Sequence, residues 1–406
     1  MSSTNVFRGF LPIILTIIFA QPSLAQDTGI PLQERLNGLA DAAKVPGYSA
    51  IKITTEATPT VLVGGLLKAG EAQPFTQSTI QVQGALSPLV VYIAVMKAVE
   101  QGHFSLDTPI NEHLPFQVVH PADRNTPITI RHLLAHTSGL LDETGSFYKM
   151  YLITDDINYN HEGLNSDEKK MVRRANLNAR FSLRVLLEKS LTAKGDFYSK
   201  GTFSSQLPGD GESVSLTGLS VLALIIESST GYFFDQYADE FIFSPLGITS
   251  AAWSIPSPEL ERAVPHLGSD MSVVPDYNQI LYPSAGFRSS TIDAAKLLDE
   301  VLKGLKGNSK ILKTDSWKLL FDDIMPDFQN FTVPETNRAP IEVMSSYNQA
   351  GYIVIGAQNY GSTSVLLIEP QKGEAVYFAS NTSFSHLNRG GYFLSEWMRL
   401  IVEPYE

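Results

Sequence analysis

The two ends of this chain have the sequence pattern of β-strands, and its middle has that of helices. The terminal runs are short, apolar and bounded by turn residues, as strands are, whereas the runs between them are long enough for buried helices. This arrangement predicts an α/β (α+β) fold, with an antiparallel sheet built from both termini and a helical insertion. The predicted strands are Gly47–Thr54, Thr58–Leu67, Gly351–Gly356, Ser362–Ile368 and Glu374–Ser380, and the predicted helices are Leu89–Glu100, Ile130–His136, Ser182–Lys189, Gly218–Ser228 and Ala294–Lys303.

Composition excludes several classes of function. Lys and Arg number 30 against 42 for Asp and Glu, a net charge of −12, and no basic stripe occurs. Binding of nucleic acid through phosphate neutralisation is therefore not expected. The chain has no cysteine, which excludes disulfides, thiol nucleophiles and thiolate metal sites. We expect no cofactor and no metal.

The first 25 residues have the pattern of a secretory signal peptide. Arg8 precedes an apolar run from Phe10 to Ala20, and the small residues Ser23 and Ala25 follow it, so cleavage is expected after Ala25. The apolar run is shorter than the roughly 20 residues that cross a bilayer. We therefore expect a secreted or periplasmic protein without a membrane span in its mature chain. A bacterial and a eukaryotic source both remain open, and the sequons at Asn330 and Asn381 matter only in the second case.

Five phrases of the mature chain together resemble the serine β-lactamase and DD-peptidase superfamily, in its class C and esterase-like, penicillin-binding-protein-like branch. The resemblance implies a sheet domain flanked by helices, formed by residues 26–80 and 282–406, and an all-helical domain at 81–281. It also implies acyl transfer through a serine, on penicillins, peptidoglycan peptides or small esters. The phrases are Val45-Pro46-Gly47, GHFSLDTP from Gly102, ITIRHLLAHTSGL from Ile128, SPLGIT from Ser244 and SAGFRS from Ser284.

The positions that carry chemistry in this family hold apolar residues here. The resemblance places the Ser-x-x-Lys tetrad on Ala85 to Pro88, the Tyr-x-Asn motif on Val214 to Leu216, and the Lys-Thr-Gly or His-x-Gly motif at Ile355. Loss of the nucleophile alone costs a serine hydrolase about 10⁶ in kcat. We therefore predict a protein without the inherited catalysis, in which the five replaced residues form one apolar patch. These residues are Ala85, Pro88, Val214, Leu216 and Ile355.

Ser87 is the best substitute nucleophile that the sequence offers. With Pro88 after it, however, Ser87 is typical of a helix N-cap followed by proline at the first helical position. Ser166-Asp-Glu-Lys169 also fits the tetrad, but it lies in a charged segment that we expect at the surface. Tyr198-Ser199-Lys200 imitates the second motif at an atypical distance. His132 and His136 have metal-ligand spacing without the glutamate of a zinc peptidase, and we interpret them as structural.

The segment at about 141–206 is atypical for the family. It carries Tyr148, Tyr151, Tyr159 and Tyr198 among many charges. It is either an exposed insertion without a role or a surface for a partner, since aromatic residues are enriched at interfaces. The expected function is binding, as a scaffold, regulator or ligand carrier, to an unknown protein partner or an apolar small molecule. The alternative is an active hydrolase or transferase with a relocated nucleophile such as Ser87.

Overall fold

A five-stranded antiparallel sheet joins the two ends of the chain in the computed structural model, with strand order β2-β1-β11-β10-β9. The structure describes residues 30–142, 151–153, 181–211, 214–257, 259–267, 271–325, 351–384 and 390–402. The strands are β1 Gly47–Thr54, β2 Ala57–Gly65, β3 Gln81–Val82, β4 Tyr151–Ile153, β5 His266–Leu267, β6 Ser272–Val273, β7 Tyr277–Gln279, β8 Arg288–Ser289, β9 Ile353–Asn359, β10 Ser362–Glu369 and β11 Glu374–Ser380.

Helices cover both faces of the sheet, and most of them come from the part of the chain between its first two and its last three strands. They are α1 Leu32–Ala43, α2 Ser87–Glu100, α3 Ile130–Leu134, α4 Leu183–Leu191, α5 Leu216–Thr230, α6 Phe234–Ala238, α7 Ser244–Leu246, α8 Tyr282–Ala285, α9 Thr291–Leu305, α10 Thr314–Lys318 and α11 Gly390–Val402. The predicted fold class, an antiparallel sheet from both termini flanked by helices, is confirmed.

The register of the sheet brings the amino and carboxyl ends together. In β1 and β11, Tyr48 pairs with Ser380 and Thr54 pairs with Glu374. The Asn381 side chain continues this link, because it accepts from Gly47 N (2.7 Å) and donates to the Leu67 carbonyl. Strands from the two ends therefore form one hydrogen-bonded surface.

Alternate residues of the strands enter two different hydrophobic cores, as the two-residue period of a strand requires. On β1, Ile51 and Ile53 lie in the core shared with α2, α5 and α9, whereas Tyr48 and Ala50 lie in the core under α1 and α11. The sheet is thus the middle layer between two helical layers.

The sequence analysis missed the two helices of the second core. Helix α1 buries only Leu36, Ala40 and Ala43 among polar residues, so its apolar pattern is thin. Helix α11 starts at Gly390, next to a second glycine, and glycine is a poor helix former.

The apolar helices α2 and α5 contact each other at the centre of the molecule.

Within the described ranges, no single helix has the length and hydropathy to cross a membrane. Helix α5 and the segment Phe234–Leu246 meet these two criteria only when they are taken together, and the chain bends by 82° at the break between them.

Candidate functional site: the family's catalytic positions

Ala85, which the resemblance assigns to the family's nucleophile, is wholly buried in a 3-10 turn, Gly84–Leu86, just before α2. Its backbone N–H donates to the Ser364 hydroxyl of β10 at 2.9 Å. The turn also packs tightly on β9, since a Cβ added at Gly84 would lie 2.6 Å from Asn359 Nδ2 and 2.8 Å from Ala357 Cβ. Position 85 is therefore closed by the sheet.

Ser87 and Pro88 are the first residues of α2, and both are buried. The prediction that Ser87 is the N-cap and Pro88 the first helical residue is wrong by one position, because Leu86 is the N-cap. The Ser87 hydroxyl accepts instead from Phe287 N at 3.1 Å. This hydroxyl joins the start of α2 to the segment that leads into β8.

Ile355, at the third motif position, is buried on β9 and pairs with Leu366 of β10. Ile355 and Ala85 belong to the same hydrophobic core. Since Gly84 lies against Ala357, the structure brings the first and third motif positions together.

The second motif position lies at the start of α5, where Val214 and Leu216 are both half-buried. Leu216 packs against the core that contains Ala85 and Ile355. The predicted apolar patch required a buried side chain at position 214, whereas Val214 is only half-buried. Ala85 and Ile355 thus lie in the main hydrophobic core and Leu216 packs against it.

Asp142 is the polar residue of this region that the sequence analysis did not identify. Its carboxylate accepts from the backbone N–H groups of Leu216 (2.6 Å) and Thr217 (3.0 Å), and from the Ser215 and Thr217 hydroxyls. An anion at a helix N-terminus satisfies free N–H groups and the helix dipole. No local pattern could reveal this contact, because Asp142 lies 73 positions before Ser215.

His136 links α2 to the start of α5. Its Nε2 lies 2.9 Å from the Tyr92 hydroxyl, and its Nδ1 accepts from Ser215 N at 3.4 Å. Complete burial lowers the pKa of His136 to about 3, because desolvation disfavours the cation. His132 Nδ1 accepts from Thr129 N in a capping box at the start of α3, so both imidazoles have structural partners.

The remaining candidates lie at the surface, in the core or outside the described residues. Tyr198 is half-buried, with its ring 6.3 Å from that of Phe203. Asn381, a predicted sequon, is 2% exposed, and its side chain holds backbone groups in the folded protein. Ser166, Lys169, Tyr148, Tyr159 and Asn330 lie outside the described residues, and Tyr151 belongs to β4.

The polar side chains around Ala85 are engaged with one another. Gln83 accepts from the Tyr377 hydroxyl and donates to the Ser289 carbonyl, while Asn359 accepts from Gln279 and donates to the Ala285 carbonyl. Burial raises the pKa of Tyr377 well above its ordinary value, so this phenol stays protonated. The arrangement holds the sheet to the start of α2, and no amine takes part in these contacts among the described residues.

The comparison with known proteins agrees with this architecture. The Beta-lactamase family profile matches residues 32–391. The chain is 29% identical to Esterase EstB of Burkholderia gladioli over 207 residues, 50% of this chain and 45% of the relative. It is 31% identical to Penicillin-binding protein 4 of Amycolatopsis lactamdurans over 108 residues, 27% of this chain and 28% of the relative. The chain thus spans less than half the length of these relatives.

The fold is also that of solved structures in this group. The octameric penicillin-binding protein homologue from Pyrococcus abyssi has a TM-score of 0.61 and 18% identity, over 91% of this chain and 76% of that chain. The family match spans most of the sequence and includes the strands from both ends and the helices between them. The chain therefore belongs to the Beta-lactamase family, within the serine β-lactamase and DD-peptidase superfamily.

Proposed function

We propose that this protein is an exported member of the family that lacks acyl-transfer catalysis and acts by binding, as a scaffold, regulator or ligand carrier. One observation carries the proposal. Ala85 is completely buried, and its N–H donates to Ser364. In serine acyl-transfer enzymes the nucleophile's own N–H often helps to stabilise the oxyanion. Here that donor is committed to the protein, and the side chain is a methyl group.

The alternative, an active enzyme with Ser87 as relocated nucleophile, has less support. The Ser87 side chain is fully buried and accepts from Phe287 N. The next turn of α2 begins with Pro88 and contains no lysine before Lys97. A serine needs a nearby base to become nucleophilic at neutral pH, and the contacts of Ser87 provide none.

A covalent serine probe tests the proposal. We expect the folded protein to show no saturable labelling with a fluorophosphonate or a fluorescent penicillin, while an active esterase of the family labels stoichiometrically. Stoichiometric labelling at one serine would overturn the proposal. If that label disappeared in Ser87→Ala and not in Ser364→Ala, the relocated nucleophile would be established.

Export is tested separately, by expressing the full chain in a bacterial host and determining the amino-terminal residue of the product. The proposal expects the product in the periplasm or the medium to begin at Gln26. An intact chain retained in the cytoplasm would contradict export and leave the proposed binding role to be judged by the covalent probe.

A further inference from the structure

A cavity of about 690 Å³ lies at the carboxyl end of α5. Glu227, in its wall, is about 16 Å along the helix axis from Leu216, at roughly 1.5 Å per residue. Gln279, also in its wall, donates to Asn359 in the hydrogen-bonded group around position 85. The volume is in the range of small-molecule sites.

Aromatic rings form much of the wall, from Phe181, Phe233, Trp253 and Tyr282. The Trp253 ring is fixed by neighbouring rings, with centroids 5.3 Å from Phe234 and 5.7 Å from Tyr282. Phe233 is 65% exposed. Such a wall suits an apolar body, and its ring faces also attract cations.

Two buried polar atoms of this wall have no hydrogen-bond partner among the described residues. They are Trp253 Nε1, on a side chain 9% exposed, and Gln279 Oε1, on a side chain 4% exposed. The Gln279 amide nitrogen is used, since it donates to Asn359 Oδ1 at 3.1 Å. Both atoms are enclosed by protein atoms and do not face the open space of the cavity.

Among the described residues, the charged side chains of the cavity wall are Glu227, Asp235 and Arg184. Both hydrogen bonds to the Glu227 carboxylate, from Phe234 N (3.0 Å) and the Tyr282 hydroxyl (3.2 Å), end on Oε1. Oε2 receives no donor from the described residues. Glu227 also lies in the last turn of α5, which contains no basic residue, and the negative end of a helix dipole disfavours an anion there.

The pKa of Glu227 reflects this environment. Burial raises it, the two hydrogen bonds oppose the increase, and nearby Asp235 adds to it. A cation beside Oε2 would stabilise the carboxylate.

We propose that this cavity binds an organic amine in its protonated form, with the ammonium at Glu227 Oε2 and an apolar or aromatic body against Trp253 and Phe233. A primary ammonium donates hydrogen bonds, and a carboxylate oxygen accepts them. The inference does not depend on whether the acyl chemistry is lost.

The test uses 2-phenylethylamine as probe, with 2-phenylethanol and phenylacetate as neutral and anionic analogues of the same size. Binding to the mature protein is measured by titration calorimetry and by tryptophan fluorescence at pH 7.5. We expect saturable binding of the amine, at least ten-fold weaker binding of the alcohol, and weaker binding still of the carboxylate. Equal binding of the three compounds, or no saturable binding of the amine, would overturn the proposal.

Variants locate the site. Glu227→Gln is expected to weaken amine binding at least ten-fold while leaving alcohol binding within two-fold, and exposed Asp235→Asn should weaken amine binding about two- to five-fold. Glu71→Gln removes an exposed carboxylate that pairs with Lys68 elsewhere and serves as the matched control, with no expected change. If Glu227→Gln fails to fold, the location of the site is tested by Asp235→Asn and Trp253→Phe. Trp253→Phe should abolish the fluorescence response, because the other tryptophans, Trp317 and Trp397, are fully buried. Unchanged affinity in these variants would contradict the site.

Discussion

The N–H of Ala85 and the hydroxyl of Ser364 form a buried hydrogen bond of 2.9 Å between the start of α2 and β10. This bond takes a backbone donor that acyl-transfer chemistry would use and makes it part of the packing between sheet and helix. The two residues lie 279 positions apart. The residue that the resemblance assigns to the family's nucleophile is therefore part of a tertiary contact.

Removing this contact should destabilise the protein. Ser364→Ala leaves the Ala85 N–H buried without an acceptor, and we expect a loss of about 1–3 kcal/mol in the free energy of unfolding. Urea melts measure it. Ser220→Ala is the matched control, because Ser220 is equally buried and its hydroxyl has no partner among the described residues. Equal midpoints for the two variants would show that the Ala85–Ser364 bond contributes nothing.

Restoring the tetrad should not restore activity. In Ala85→Ser with Pro88→Lys, the new hydroxyl is enclosed and the second and third motifs still lack their polar groups. We expect nitrocefin and p-nitrophenyl ester turnover to stay within about ten-fold of the wild-type background, since such residues act as a unit. Pro88 is buried, so the lysine should also lower stability. Ala85→Ser alone controls for folding, and turnover near that of an active relative would contradict this expectation.

The close approach of Gly84 to β9 predicts a second stability effect. Gly84→Ala places a methyl group within 2.8 Å of both Asn359 and Ala357, and such overpacking costs about 1–3 kcal/mol. Gly38→Ala on α1 has no atom within 4 Å of its new methyl group, and it should instead stabilise the protein by up to about 1 kcal/mol, through better helix propensity. Thermal melts of both variants measure whether the two changes in stability have opposite signs.

His136 should make the protein acid-sensitive. The pKa of His136 is about 3 in the folded protein, below its ordinary value of 6.5. Between these two values the unfolded chain binds a proton at this residue and the folded protein does not. Stability should thus fall as pH decreases from 6.5 towards 3, by up to about 1.4 kcal/mol per pH unit, with no contribution above that range. His136→Asn suits the positive φ of 55° at this position. The variant should show a shallower dependence in urea melts at pH 7, 5.5 and 4, and parallel curves would refute the assignment.

The fold was predictable where the residue pattern was strong. The bounds of β1 and β11 match the predicted Gly47–Thr54 and Glu374–Ser380, because both are short runs that contain several β-branched or aromatic residues and are bounded by turn residues. The helices α1 and α11 were missed since their burial depends on the sheet beneath them and is weakly encoded locally.

The candidate site was likewise predictable only in part. The resemblance implied that Ala85 and Ile355 lie close together, and the turn that contains Ala85 packs on the strand of Ile355. Spacing could not reveal what fills the place of the lost groups, because Ser364, Phe287 and Asp142 reach those positions from distant parts of the chain.

The pairing of β1 with β11 also has a consequence for the order in which the chain can fold. Gly47 and Asn381, which bond across this junction, are 334 positions apart. During synthesis β1 and β2 therefore emerge first, and almost the whole chain must follow before β1 gains its second neighbour, β11. Contacts of such long range slow folding, and an exposed strand edge invites association with other chains. The loss of β11 would leave β1 with β2 as its single neighbour in the sheet.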